Sequence, residues 1–121
     1  MRRVLHGDLV AAARALRAAP AGTRWRLARD LVARADAADR YLYRFGRAHP
    51  HWGNGTLMSA ALALPLVPEP RLDEPAYADC LMLVLEAVRA RCCPVPQKRE
   101  RTLRRVRRSR RDTTFHDSEL I

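Results

Sequence analysis

The sequence predicts an all-α protein: a compact bundle of about four helices over residues 1–93, followed by an Arg-rich stretch, 94–121, that is disordered on its own. Three observations carry this. Hydrophobic residues make up 48% of the 121 positions while aromatic ones make up only 6%, so the core must be built from Ala, Leu and Val. Ala and Leu are strong helix formers, and β-branched residues are sparse. Proline and glycine fall in clusters, at Pro20 and Gly22, at Gly46 to Gly55, from Pro65 to Pro75 and at Pro94 and Pro96, and cut the chain into helix-sized pieces. A chain of this length supports one core and no second domain.

The first helix is expected to start at Asp8 as its N-cap, with a stripe of Leu9, Ala12, Ala13 and Leu16, and to stop at Pro20. After Thr23, Ala28, Leu31, Ala35, Ala38, Leu42 and Phe45 recur at steps of three and four, the seam of a longer amphipathic helix that Gly46 ends. On its outer side Asp30 with Arg34, and Asp36 with Arg40, form i,i+4 pairs that mark a solvated face. A third helix, "TLMSAALAL", runs from Thr56 to Pro65, and the prolines at 65, 68, 70 and 75 make a stiff extended connector. Asp73 is expected to cap the last helix, with Glu74 and Pro75 in its first turn and Arg89 and Arg91 near its end, as the macrodipole favours. Tyr77, Leu81, Val84 and Val88 share one face, but Met82, Leu83 and Leu85 make this helix apolar on other sides too. Such a helix is central or carries an interface.

The net charge is +10 and unevenly spread. Residues 1–93 carry 14 Arg against nine acids, 94–111 carry nine bases against Glu100 alone, and 112–121 carry three acids. Lys98 stands against 22 arginines, a bias that a GC-rich genome produces as readily as selection for guanidinium chemistry. Asp8 and Arg14 interrupt the N-terminal apolar positions, which reads against a secretory signal and for the cytoplasm. Cys80, Cys92 and Cys93 are an odd number without framework spacing and fit reduced thiols. The longest apolar run, "CLMLVL" at 80–85, falls far short of the roughly 20 residues a bilayer needs, so no membrane association is expected.

Two places hold candidate functional residues. The stretch "HPHWGNGT" places His49, His51, Trp52, Asn54 and Thr56 just ahead of a helix, where free N–H groups favour an anion. It lacks the lysine and spacing of a phosphate loop, and no strand precedes it, so the stretch reads first as a hinge: glycines for the turn, Thr56 as cap, Trp52 as anchor. A zinc site of His49, His51, Cys92 and Cys93 is disfavoured because adjacent cysteines compete for one metal. Reversible oxidation of Cys92 or Cys93, where nearby Arg89 and Arg91 favour thiolate, is a further reading that the sequence does not require. No nucleophile elbow or zinc-protease pair is present, and the expectation is a non-enzyme without metal or cofactor.

The second place is the basic stretch. Lys98, Arg99, Arg101, Arg104, Arg105, Arg107, Arg108, Arg110 and Arg111 are set among only Leu103 and Val106, too little apolar surface to bury a face. Guanidinium forks suit phosphates, and nine cations would displace condensed counterions, which points to the backbone of DNA or RNA. Phe115 is the only aromatic residue nearby, so stacking on unpaired bases has little support in the tail. A solvated tail or an acidic partner competes with this reading, and two apolar residues are too few for a lipid surface.

The stretches "HGDLVAAARAL", "AHPHWGNGTLMSAALA" and "PEPRLDEPAYADCLMLVLEAV" together resemble an uncharacterised small helical domain family of alphaproteobacteria, over about residues 3–90. The resemblance implies a bacterial cytoplasmic protein of unknown function, assigns no catalytic or binding residue, and leaves the basic stretch outside. The sequence thus supports a non-enzymatic helical protein that binds nucleic acid non-specifically through its arginines. The alternative is an adaptor that meets a protein partner, or a second copy of itself, through the bundle.

Overall fold

The computed structural model of the protein describes residues 1–92, so the basic stretch and Cys93 lie outside the described residues. The four helices are α1 (His6–Ala18), α2 (Arg24–Phe45), α3 (Leu57–Leu62) and α4 (Pro75–Cys92), with a 3₁₀ turn at Ala21–Thr23. All pack into one all-helical bundle, and α1 touches each of the other three. Ala11, Ala12, Ala13, Ala15 and Leu16 are buried, so α1 is covered on nearly every side. Its alanines explain this: a methyl group lets neighbouring backbones close in from several directions, whereas a helix with one bulky seam has one buried face. The central position expected as one option for the last helix therefore falls to α1. Helix α4 buries Tyr77, Cys80, Val84 and Ala87 on one side and leaves Met82 and Leu85 exposed.

The helix ends depart from expectation in ways that have physical reasons. α1 begins two residues before Asp8, with Leu5 at the N-cap, and Asp8 reaches back from the first turn so that its Oδ2 accepts the Leu5 N–H at 2.8 Å. A carboxylate there satisfies an orphan amide and complements the dipole from inside the helix. At the other end, Pro20 and the 3₁₀ turn swing Arg24 under α1. Its Nε donates to the carbonyls of Leu16 at 2.9 Å and Ala19 at 3.3 Å, and its Nη2 donates to that of Arg17 at 3.3 Å. One guanidinium thus closes the C-terminus of α1 in place of a left-handed glycine.

Gly46 does end α2, at φ +70° with its N–H donating to the Leu42 carbonyl. The predicted seam is buried at Ala28, Leu31, Ala35 and Ala38, but Leu42 is half-buried and Phe45 is 53% exposed. At 22 residues, α2 outruns the 13-residue α1 it packs against, so its last turn extends past α1 and leaves Phe45 largely in water.

Helix α3 is shorter than expected, and the connector after it is held by Arg14, whose Nε donates to the Val67 carbonyl at 2.8 Å. Asp73 does not cap α4. It pairs with Arg71 at 2.8 Å, while Glu74 supplies the carbonyl that accepts the first helical N–H, from Ala78, and pairs through its carboxylate with Arg17 at 2.6 Å. Pro75 then opens the helix, where its missing N–H costs nothing. Among the described residues no helix is long and apolar enough to cross a membrane.

Candidate functional site

The 49–56 loop is built from three interlocking devices. His49 and Gly53 exchange backbone bonds, at 2.8 and 3.1 Å, and close a tight hairpin. The His49 ring sits inside that hairpin: its Nδ1 accepts the N–H groups of His51 and Trp52, both at 3.1 Å. Two backbone N–H groups thus converge on one ring nitrogen and fix the orientation of the ring. The ring is stacked on Trp52 with centroids 4.6 Å apart and planes 8° apart, and meets the edge of Tyr41 at 4.9 Å. Tyr41 in turn lies 4.6 Å from Phe45, one helical turn on, and His51 sits 5.9 Å from His49.

Asn54, Thr56 and Ser59 form the second device. The Thr56 side chain caps α3 by accepting the Ser59 N–H at 3.2 Å, and Asn54 Oδ1 accepts the Thr56 N–H at 3.2 Å. Ser59 Oγ lies within hydrogen-bond reach of Trp52 O, Asn54 Oδ1 and Thr56 Oγ1. The third device is Asp8. Its Oδ1 accepts the Met58 N–H at 3.0 Å while Oδ2 holds Leu5, so one carboxylate, 6% exposed, joins the N-termini of α1 and α3. The Met58 and Ser59 amides of α3 are therefore taken by the chain's own oxygens. The residues singled out in the loop are brought together, and what they form in the fold is a capped, ring-stacked hinge. Asp8, Tyr41 and Phe45 were not singled out as part of it. Nothing local to Asp8 signals a contact 50 residues away, whereas Phe45 was read as the last position of the α2 seam and Tyr41 lies off that seam.

A second concavity lies between α2 and α4, about 330 Å³ in volume, lined by Trp25, Arg29, Val32, Asp36, Ala87 and Arg91. Asp36, expected to pair with Arg40 on a solvated face, instead receives a fork from Arg91, with Nε to Oδ2 and Nη2 to Oδ1 both at 2.6 Å. The Met1 amine also contacts it. The Arg91 fork holds the Asp36 carboxyl below its ordinary value of 3.8, against an opposing push from burial. A depressed carboxylate contributes stability that is fully present above the unfolded pKa and is lost as pH falls through the folded one. Wild type is therefore expected to be more stable than Asp36→Asn near neutral pH, with the difference shrinking across the acid window below the ordinary carboxylate range, as read by urea unfolding at each pH. A difference that stays constant across that window would show that the fork does not bias the titration.

The remaining reactive groups are quieter. Burial pushes the Cys80 thiol up and leaves it inert, and Cys92 is exposed at the end of α4. The Tyr77 hydroxyl is buried without a partner among the described residues, and desolvation, reinforced by Glu69, raises its pKa. No group of three His, Cys, Asp or Glu side chains among the described residues could hold a metal ion. The nine basic residues from Lys98 to Arg111 lie outside the described residues.

The sequence profile of one family, described as a domain of unknown function, DUF7742, matches residues 2–88. The chain belongs to the DUF7742 family. No curated protein and no solved structure matches it. The DUF7742 match takes in the whole loop hinge, the Asp8 bridge and most of α4, and it stops before the basic stretch. The features that set helix directions thus belong to the DUF7742 domain, whereas the arginine cluster lies beyond the matched region.

Proposed function

We propose that this is a non-catalytic, cytoplasmic protein of alphaproteobacterial type that binds DNA or RNA by its phosphate backbone, without reading sequence. The observation that carries the reading is the charge of residues 94–111, nine bases against Glu100, immediately after the helix α4. The arginines of the bundle support it by contrast. Arg14, Arg17, Arg24 and Arg91 are spent on carbonyls and carboxylates of the fold, and the densest run of cations left for phosphates is Lys98, Arg99, Arg101, Arg104, Arg105, Arg107, Arg108, Arg110 and Arg111. Each phosphate neutralised releases a counterion and makes affinity fall with salt.

The test is fluorescence anisotropy of the full chain with duplex DNA and with RNA over a salt series. Changing Arg104, Arg105, Arg107 and Arg108 to Gln is expected to reduce the slope of log affinity against log salt by roughly 3.6, about 0.9 per lost contact on a duplex. No binding by wild type at moderate salt would remove the reading.

A second reading is a protein-interaction or adaptor role for the bundle, and a specific observation favours it. Met82 and Leu85 are 59% and 52% exposed on the outer side of α4, next to Asp79, Glu86 and Arg89. A partner, or a second copy, that covered them would leave nucleic acid aside. Under that reading a pull-down returns the same partners whether or not the arginine cluster is present.

A further inference from the structure

Between Asp39 and Glu69 the chain carries no acidic residue, yet it holds Arg40, Arg44, Arg47, His49 and His51, and four of the protein's seven Phe, Tyr and Trp residues. The fold gathers these at one end of the bundle. Phe45, Tyr41, His49 and Trp52 form a continuous row of rings with successive centroids 4.6, 4.9 and 4.6 Å apart. The Arg44 guanidinium lies 5.4 Å from the centroid of Phe45. Arg40, Arg44 and Arg47 make no ion pair with any described residue, unlike the arginines that clip the helices together.

Loop anchoring accounts for His49 and Trp52, whose ring and backbone lock the hairpin. It does not account for Phe45, 53% exposed, or for Tyr43, 96% exposed on the adjoining side of the same helix end. Aromatic rings left in water beside guanidinium groups that have no ion-pair partner among the described residues, in a stretch whose nearest carboxylate is Asp39, one turn before Tyr43, are complementary to a polyanion that also offers flat rings. Unpaired nucleotides have that chemistry, because every base has a face to stack and every linkage a phosphate. A duplex keeps its base faces covered and offers only its backbone.

We propose that the C-terminal end of α2 with the 49–53 hairpin is a stacking site for unpaired bases of a single-stranded nucleic acid, with Arg44 and Arg47 holding the adjacent phosphates. This deepens, and rests on, the nucleic-acid reading above. The arginine cluster at 98–111 gives strand-independent attachment, and the ring row adds a preference for single strands that the cluster alone does not supply.

The experiment compares one fluorescent oligonucleotide, single-stranded and annealed to its complement, titrated with full-length wild type, Phe45→Ala/Tyr43→Ala, Arg44→Gln/Arg47→Gln and the four-arginine tail variant. All substituted ring-site positions are exposed, and thermal melts confirm that the variants fold. The ring variant is expected to lose about tenfold in single-strand affinity with little change for the duplex. The tail variant weakens both forms. Equal affinity of wild type for the two forms, or a ring variant that matches wild type on the single strand, overturns the stacking site and leaves the tail reading standing. Wild type that binds neither form overturns both. A last arm uses vesicles of anionic lipid: binding to vesicles but not to oligonucleotides, lost on removing Phe45 and Tyr43, would assign the rings to a membrane surface and overturn the proposal.

Discussion

Replacing Gly55 with alanine is expected to destabilise the protein by about 3 kcal/mol, combining left-handed strain of roughly 1–2 kcal/mol with steric overlap. Gly55 has φ +90°, and a Cβ there would lie 2.7 Å from Asp39 Cβ and 2.8 Å from Asp39 Cα. Those are atoms of the α2 backbone and its first side-chain carbon, so the overlap cannot be relieved by swinging a flexible chain end aside. The loop would have to lift off α2, and the Gly55 carbonyl, which accepts the Arg2 N–H at 2.9 Å, would go with it. Two other glycines serve as controls. Gly46 has φ +70° but open space around it, so alanine there should cost only about 1 kcal/mol, the conformational part alone. Gly22 has ordinary φ and nothing within 4 Å, so alanine should be neutral or stabilise by roughly 0.4–1 kcal/mol through the unfolded chain. Urea unfolding of the three variants reads the ranking. A Gly55→Ala protein as stable as Gly46→Ala would mean that the hinge does not press on α2.

Asp8→Ala is expected to cost about 2–4 kcal/mol, because two charge-assisted hydrogen bonds to helix N-termini are lost together. The side chain is nearly enclosed, and its removal leaves the Leu5 and Met58 amides facing no acceptor. Asp8→Asn is the informative companion. It keeps the shape but offers a single carbonyl oxygen, so one amide is satisfied and the other faces an NH₂ group. The asparagine variant should therefore fall between wild type and alanine. An alanine variant within 0.5 kcal/mol of wild type, the range of an ordinary surface substitution, would show that the bridge between α1 and α3 contributes nothing. With total stabilities of small domains near 5–15 kcal/mol, either this change or Gly55→Ala should shift the unfolding midpoint well beyond experimental error.

Several features of the fold are legible in the sequence because they depend on neighbours along the chain. The seam of α2 follows from apolar spacing, its end from Gly46, and the break after α3 from four prolines, each of which restricts its own φ and the residue before it. The Thr56 cap is equally local, since its oxygen serves an amide three residues on. The errors came where a residue has two physically sound uses. Asp8 and Asp73 are both good cap residues by type, yet the chain uses one from inside the first turn and pairs the other with Arg71. Asp36 has an arginine four residues on, but a fork from Arg91 is stronger than an exposed i,i+4 pair.

In the candidate site, the turn residues were legible and their ring partners were not. Trp52 could be recognised as a loop anchor, but the contact of the His49 ring with Tyr41 exists only because the chain reverses at Gly46 and lays the hairpin against the helix it has just left. The overhang that leaves Phe45 in water is a matter of relative helix length, which single-helix periodicity does not contain.

By itself the sequence determined that the described residues form an all-helical domain, where its helices lie to within a few residues, and that positive charge is concentrated in residues 94–111. These are matters of propensity, periodicity and composition, summed over short windows. Only the tertiary structure decided that the alanine-rich α1 sits at the centre, that Asp8 and Asp36 join elements 50 and 55 residues apart, and that Tyr41 and Phe45 of α2 meet the His49 and Trp52 rings in one row. Each of those depends on which surfaces meet, and helical periodicity says only that a surface is apolar, not which other surface will cover it.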